Sequence, residues 1–137
     1  IAEDGNSVIR TIGVKAADRA LEDINEVDED GNALLDDDGV QVITRGLKYN
    51  AIQDVKKQQS GFLTQTDWYI IRKADNGTAI PSVIQTWRDA IRTDATRIEN
   101  AITAVTTMDQ FIALHTSTHN EDFTIDVIAV VQSWTEK

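Results

Sequence analysis

Residues 81–105, PSVIQTWRDAIRTDATRIENAITAV, carry the clearest helical spacing in the chain. Ile84, Trp87, Ile91, Ile98, Ala101 and Val105 follow alternating steps of three and four, and Asp94 breaks the series. Steps of this kind bring apolar side chains onto one side of an α-helix. Pro81 suits a first turn, where its missing N–H would have had no partner in any case, and Thr78 is a capping candidate upstream. Arg88, Asp89, Arg92, Arg97 and Glu99 fall elsewhere on the wheel. Two readings are open: one amphipathic helix packed on a single core, or a seven-residue repeat of a coiled-coil or bundling helix.

On the N-terminal side, Leu47, Ala51, Val55 and Gln58 share a stripe opposite Lys48, Asp54, Lys56 and Lys57, so a second helix is expected there. Ser60-Gly61 is expected to bend or interrupt it. Thr66 and Asp67 offer N-cap chemistry ahead of Trp68-Tyr69-Ile70-Ile71, and Asn76-Gly77 supplies a helix stop. Fixed by that cap, Trp68 is expected to point into the core and pack with Trp87, beside Ile71 and Ile91. On the C-terminal side, Thr107 caps a short helix over 108–114, and His115 to Asn120 reads as a polar loop. The period of Phe123 to Trp134 fits helix or strand, and its length favours helix.

The first 44 residues have a different texture. Val8 to Val14 reads as a strand, and Asp18 to Ile24 as a short helical turn. Two Asp-Gly steps, Asp30-Gly31 and Asp38-Gly39, punctuate strand candidates at Ala33-Leu34-Leu35 and Val40 to Thr44, the pattern of a meander or paired hairpins. The fold class expected is therefore α+β: a small N-terminal β-hairpin or meander region followed by a region of two to four helices. A chain of 137 residues suits one domain over 1–137, with sub-regions 1–44, 45–105 and 106–137.

Charge and composition narrow the function. Of the formal charge of −10, residues 1–44 carry 12 acidic against 3 basic side chains, whereas 45–137 carry 11 against 10. No basic face is offered to a phosphate backbone, so nucleic acid is not an expected partner. No apolar run approaches the roughly 20 residues that cross a bilayer, so a membrane is not expected either. Ile1-Ala2-Glu3-Asp4 is acidic, unlike a signal peptide, and begins without Met, as a processed form or a piece of a longer product would.

Chemistry-bearing constellations are sparse. The chain has no cysteine, which removes disulfides and thiolate zinc sites. His115 and His119 lie four apart, but Thr116-Ser117-Thr118 between them is poor helix, so an exposed loop is expected rather than a metal site. Glu26, Asp28, Asp30 and Gly31 superficially follow a calcium loop. The twelfth position is Asp37 where a bidentate Glu is usual, and a plain Asp-Gly turn is the better reading. No nucleophile-elbow or triad pattern is present. The expectation is a non-enzymatic protein with no catalytic residues, no metal and no cofactor.

One resemblance stands beside this reading. Leu63, Thr66, Asp67 and Trp68, followed by Trp87, Arg88, Ile91 and Arg92, resemble the Leu-x-x-Thr-Asp-Trp block and Tyr-Arg-x-x-Leu-Arg-Asp-like helix of bacteriophage tail assembly chaperone and tail-fibre-assembly proteins. It covers about residues 45–105, with Trp in place of Tyr and Ile in place of Leu, and the chain departs from the pattern after Arg92, at Thr93-Asp94. The resemblance implies a virion structural or adaptor protein of the tail, tail fibre or baseplate, located in the virion tail. Its alternative is a non-virion assembly chaperone in the host cytoplasm. Partners would be other tail or fibre proteins in an oligomer or larger assembly, with Thr66, Asp67, Trp68, Trp87, Arg88, Ile91 and Arg92 as the module-defining residues.

Overall fold

Glu26, Leu34 and Val42 lie eight residues apart, and their backbones close a triangle. The Glu26 amide donates to Val42 O (2.9 Å), Leu34 to Glu26 O (2.9 Å) and Val42 to Leu34 O (2.8 Å). In this computed structural model, which describes residues 20–137, the segment is part of one of two compact units, 20–50 and 51–137. The strand expected over Val8 to Val14 lies outside the described residues.

In the first unit, β1 (Ile24–Asn25) pairs antiparallel with β2 (Ile43–Thr44), in the register Ile24 to Thr44 and Asn25 to Ile43. Single bridges join Val27 to Ala33 and Leu35 to Gln41. Each of the three segments therefore bonds to the other two. The Gln41 amide sits among the carbonyls of Glu26, Leu34 and Val42, at 2.8, 3.1 and 2.9 Å. Both Asp-Gly steps form the expected turns. Gly31 and Gly39 take φ of 84° and 79°, which a Cβ disfavours, and Asp28 Oδ1 accepts the Asp30 and Asn32 amides at 2.9 Å.

The helical turn expected toward Ile24 does not form over the described residues. The carbonyls of Ala20 and Leu21 accept instead from Leu47 and Lys48, the first amides of α1 (Leu47–Thr64). Those amides lack partners within their own helix, and the segment that supplies them bends at Leu21 and Glu22 without forming a helical turn. Gly46 permits the approach: a Cβ there would lie 2.4 Å from the Glu22 backbone.

In the second unit, α1 does not break at Ser60-Gly61. Phe62 packs edge-on against Trp87 and tilted against Trp134, at centroid distances of 6.5 and 5.2 Å. This packing outweighs the roughly 1 kcal/mol that glycine costs inside a helix. The chain then forms α2 (Asp67–Asn76), stopped by Gly77 at φ 77° with its amide on Lys73 O, and α3 (Ser82–Ala104). Pro81 occupies the N-cap of α3, while the Thr78 hydroxyl turns back to Asn76 Oδ1 (2.6 Å) and does not cap it. Thr107 caps α4 (Met108–Leu114) through a reciprocal capping box with Gln110.

Burial along α3 follows Trp87, Ile91, Asp94, Ile98, Ile102 and Val105, with Ala95 beside them. Five steps over eighteen residues is the period of a straight helix, whereas the series through Ala101 had the shorter period of a supercoil. Ile102 is fully buried and Ala101 only partly so. The single-core reading of α3 is the one this packing matches. Ala51 and Val55 of α1 meet Ala95, Ile98 and Ile102, and Phe111, Leu114, Val131 and Trp134 pack around them.

The C-terminal apolar segment is not a helix. It forms β4 (Ile125–Val127), paired antiparallel with β3 (Thr118–His119), and a short 3-10 turn at Val130–Gln132. Its β-branched residues pair in a hairpin while Val131 and Trp134 dock on the core, so no single helical face is required. The protein is an α+β mixture: the described residues form a small antiparallel pair, then four helices, then a second small sheet.

Candidate interaction surface

Arg88 organises the turn between α1 and α2. Its side chain is buried, and Nη1 lies 2.9 Å from Leu63 O, 2.8 Å from Thr66 Oγ1 and 3.0 Å from Asp67 Oδ1. Nη1 carries two hydrogens, so three acceptors share them, and the guanidinium charge strengthens each contact. The Leu63 carbonyl belongs to the last turn of α1, where a helix leaves such groups without internal partners. Thr66 Oγ1 also approaches Leu63 O, at 3.3 Å. Thr66 is therefore used up in this cluster and makes no side-chain cap on α2, contrary to the sequence expectation. Asp67 remains in the first turn of α2, where its charge suits the helix dipole.

α2 buries none of its ten residues. Trp68 is 50 % exposed, so it does not point into the core or pack with Trp87. It stacks on Tyr69 instead, at 3.8 Å between centroids, with the Arg72 guanidinium 5.1 Å from the Trp68 ring and 5.3 Å from Tyr69. Ile71, one turn on from Trp68, is 67 % exposed. The cause is local: Thr66 and Asp67 both turn to Arg88, and Trp68, the next residue on the helix, is left facing solvent. Two stacked aromatics under a guanidinium form a rigid platform of the residue types that dominate binding energy at protein interfaces.

The other module-defining residues separate by role. Trp87 and Ile91 are buried on α3, and the Trp87 indole N–H donates to Thr135 O (3.1 Å). Arg92 is exposed and pairs with Asp89 (3.0 Å), one turn back on its own helix. The structure thus gathers Thr66, Asp67 and Arg88, places Trp68 beside them facing out, puts Trp87 and Ile91 inside, and leaves Arg92 on the surface. Tyr69 and Arg72 are additional members of the platform. Arg72 had a signal in sequence, four residues beyond Trp68 and so on the same side of a helix.

Asp94, the break in the apolar series, has a structural role. Its Oδ2 accepts the Thr135 amide and hydroxyl, both at 2.7 Å, and its Oδ1 accepts from Arg97 at 3.0 Å. Burial raises this carboxyl's pKa, but the two Thr135 bonds and Arg97 together outweigh it and hold the group below the ordinary 3.8. Asp94 thereby ties the segment after the 3-10 turn to α3.

Neither histidine nor the acidic turn forms a metal cradle. His115 ends α4, with Nδ1 2.9 Å from Phe111 O, while His119 lies on β3, so the two do not share a helix. Among the described residues, no group of three or more His, Asp or Glu is placed to hold a metal ion, and no helix is long and apolar enough to cross a membrane. Compared with known proteins, the chain matches no protein-family model, no curated sequence and no solved structure.

Proposed function

We propose that this protein is a structural or adaptor component of a bacteriophage tail, tail fibre or baseplate and acts by protein–protein contact. The observation that carries the contact reading is the Trp68–Tyr69–Arg72 platform on a helix that buries none of its residues. Arg88 fixes the base of that helix, so the platform is presented with little conformational freedom left to lose on binding. The tail assignment is supported by the resemblance of Leu63, Thr66, Asp67, Trp68, Trp87, Arg88, Ile91 and Arg92 to tail accessory proteins.

Mass spectrometry of purified particles of the phage carrying this gene tests the assignment. The polypeptide is expected in the particles, co-purifying with tail proteins in wild type and lost from them in Trp68→Ala. Its absence from particles, with recovery in a soluble complex with a fibre or tube protein, would identify an assembly chaperone instead.

A further inference from the structure

The sheet of the first unit repeats every eight residues, and Val27, Leu35 and Ile43 occupy equivalent places in it. Each is paired across to a neighbouring segment: Val27 to Ala33, Leu35 to Gln41 and Ile43 to Asn25. Directly opposed residues point to the same side of a sheet, as do residues two apart along one strand. These six therefore share one face, and the Gln41 amide lies at its centre, on the carbonyls of Glu26, Leu34 and Val42. None of the six is charged.

Among the described residues this face has no cover. Val27 is 57 % exposed, Leu35 52 % and Ile43 39 %, and no residue of 20–45 is buried. A single-layer sheet this small is marginal in water unless a second layer packs on it. Charge disfavours a second copy of the sheet as that layer. Residues 20–44 carry nine acidic side chains and no basic one, so two such sheets face to face repel. Arg45 and Lys48, just beyond, are already paired with Asp23 and Glu22.

The chain itself contains the complement, in the residues that precede the described ones. Residues 5–17 hold Arg10 and Lys15 and no acid, with Val8, Ile9, Ile12 and Val14 as their large apolar residues. This segment is tethered at a fixed point of the sheet, because the Ala20 and Leu21 carbonyls accept from the Leu47 and Lys48 amides at 2.9 and 3.0 Å. From Lys15 to Ala20 the chain can extend about 17 Å, at roughly 3.4 Å per residue. Neighbouring strands lie only about 4.8 Å apart, so the tether spans the sheet. It also keeps the segment at an effective concentration on the order of millimolar.

We propose that residues 8–15 lie across the face formed by Val27, Leu35 and Ile43 and serve as its second layer. The apolar side chains of the segment replace water over the face, which supplies most of the stabilisation. Arg10 and Lys15 meet the carboxylates at the rim. Those stand on two sides, since one turn carries Asp28, Glu29 and Asp30 and the other Asp36, Asp37 and Asp38. Exposed ion pairs of this kind set orientation more than they add stability.

Trypsin tests the proposal directly, because Arg10 and Lys15 are cleavage sites within the segment. Mass spectrometry reads the rate of cutting after each, in the full chain and in a peptide of residues 1–19. Wild type is expected to be cut at least about tenfold more slowly than the peptide. That ratio is expected to hold over an about hundredfold range of protein concentration, as for an intramolecular contact. Val27→Thr with Leu35→Thr removes apolar bulk while keeping strand-forming residues, and is expected to raise cutting to the peptide's rate. Slow hydrogen exchange at the Glu26, Leu34 and Val42 amides shows that the sheet of this double variant is intact. Ile12→Thr, compared with a peptide carrying the same change, leaves the sheet unaltered and is expected to lose protection too, so it decides the matter if the double variant unfolds. Wild type cut at the peptide's rate, or protection retained in Ile12→Thr or in a folded double variant, would overturn the proposal. Protection that grows with concentration would overturn it as well, and would assign the face to a second copy.

Discussion

Arg88 Nη1 and Thr66 Oγ1 are 22 positions apart in sequence and 2.8 Å apart in space, and this contact fixes how α2 leaves α1. Replacing Arg88 by Ala leaves the Leu63 carbonyl and the Thr66 hydroxyl without that donor. The expected loss is about 2 kcal/mol, in the range for removing one charged partner of buried hydrogen bonds. The half-exposed Asp67 adds little to that figure, because solvent screens its side of the ion pair. Lysine in this place recovers only part of the loss, since an ammonium does not reproduce the planar reach of a guanidinium. Urea midpoints of Arg88→Ala and Arg88→Lys check both statements.

Trp68 and Ile71 make a contrasting pair with Ile98. Trp68→Ala and Ile71→Ala are expected to change stability by less than about 0.5 kcal/mol, apart from the lost stacking on Tyr69. Ile98→Ala, in the fully buried centre of α3, is expected to cost about 2–5 kcal/mol. Fluorescence gives an independent check. Acrylamide should quench Trp68 preferentially over Trp87 and Trp134, and Trp68→Phe should remove the most accessible fraction. Comparable quenching in wild type and Trp68→Phe would contradict the outward placement.

Acid should loosen the C-terminal segment through Asp94. Its folded-state pKa lies below the ordinary 3.8, so its contribution to stability is fully present above that value. The contribution is lost as pH falls through the lower folded value. Asp94→Asn is expected to be less stable than wild type at pH 6, and the gap should narrow below pH 3.8. Asp23 and Asp122 are held low as well, by bonds from the Gly46 amide and from Thr124 respectively, so the acid limb should flatten without vanishing. Urea midpoints between pH 2 and 6 measure it.

Two glycines should respond in opposite directions. Gly61 lies inside α1 with open space where a Cβ would stand, so Gly61→Ala is expected to stabilise by about 0.5–1 kcal/mol. At Gly46 a Cβ would lie 2.4 Å from the Glu22 backbone, so Gly46→Ala must displace the segment that caps α1. Thermal melts should separate the two, with Gly46→Ala clearly lower than wild type.

Local signals in the sequence carried a good part of the structure. The Asp-Gly steps predicted the turns at Gly31 and Gly39, Asn76-Gly77 predicted the end of α2, and Thr107 predicted the cap of α4. Each depends on a backbone preference or a hydrogen bond within a few residues, which the order of amino acids is enough to specify. The periodicity of 81–105 likewise announced a helix with one apolar side. Distant contacts decided the rest. Ser60-Gly61 stays helical because Phe62 finds Trp87 and Trp134, and Asp94 belongs in an apolar stripe because Thr135 comes to it from 41 positions away.

Residues 81–105, read alone, determined a helix and its apolar side, because a 3.6-residue period is a property of neighbours in the chain. Whether Ala101 or Ile102 lay at the centre of that side was decided only by packing against α1 and α4, as was the division of the aromatics. Trp87 went inside and Trp134 lies part-buried against the core; Trp68 and Phe123 remained outside. Hydrophobicity marks all four alike, and the space left between packed helices admits only those whose backbones point toward it.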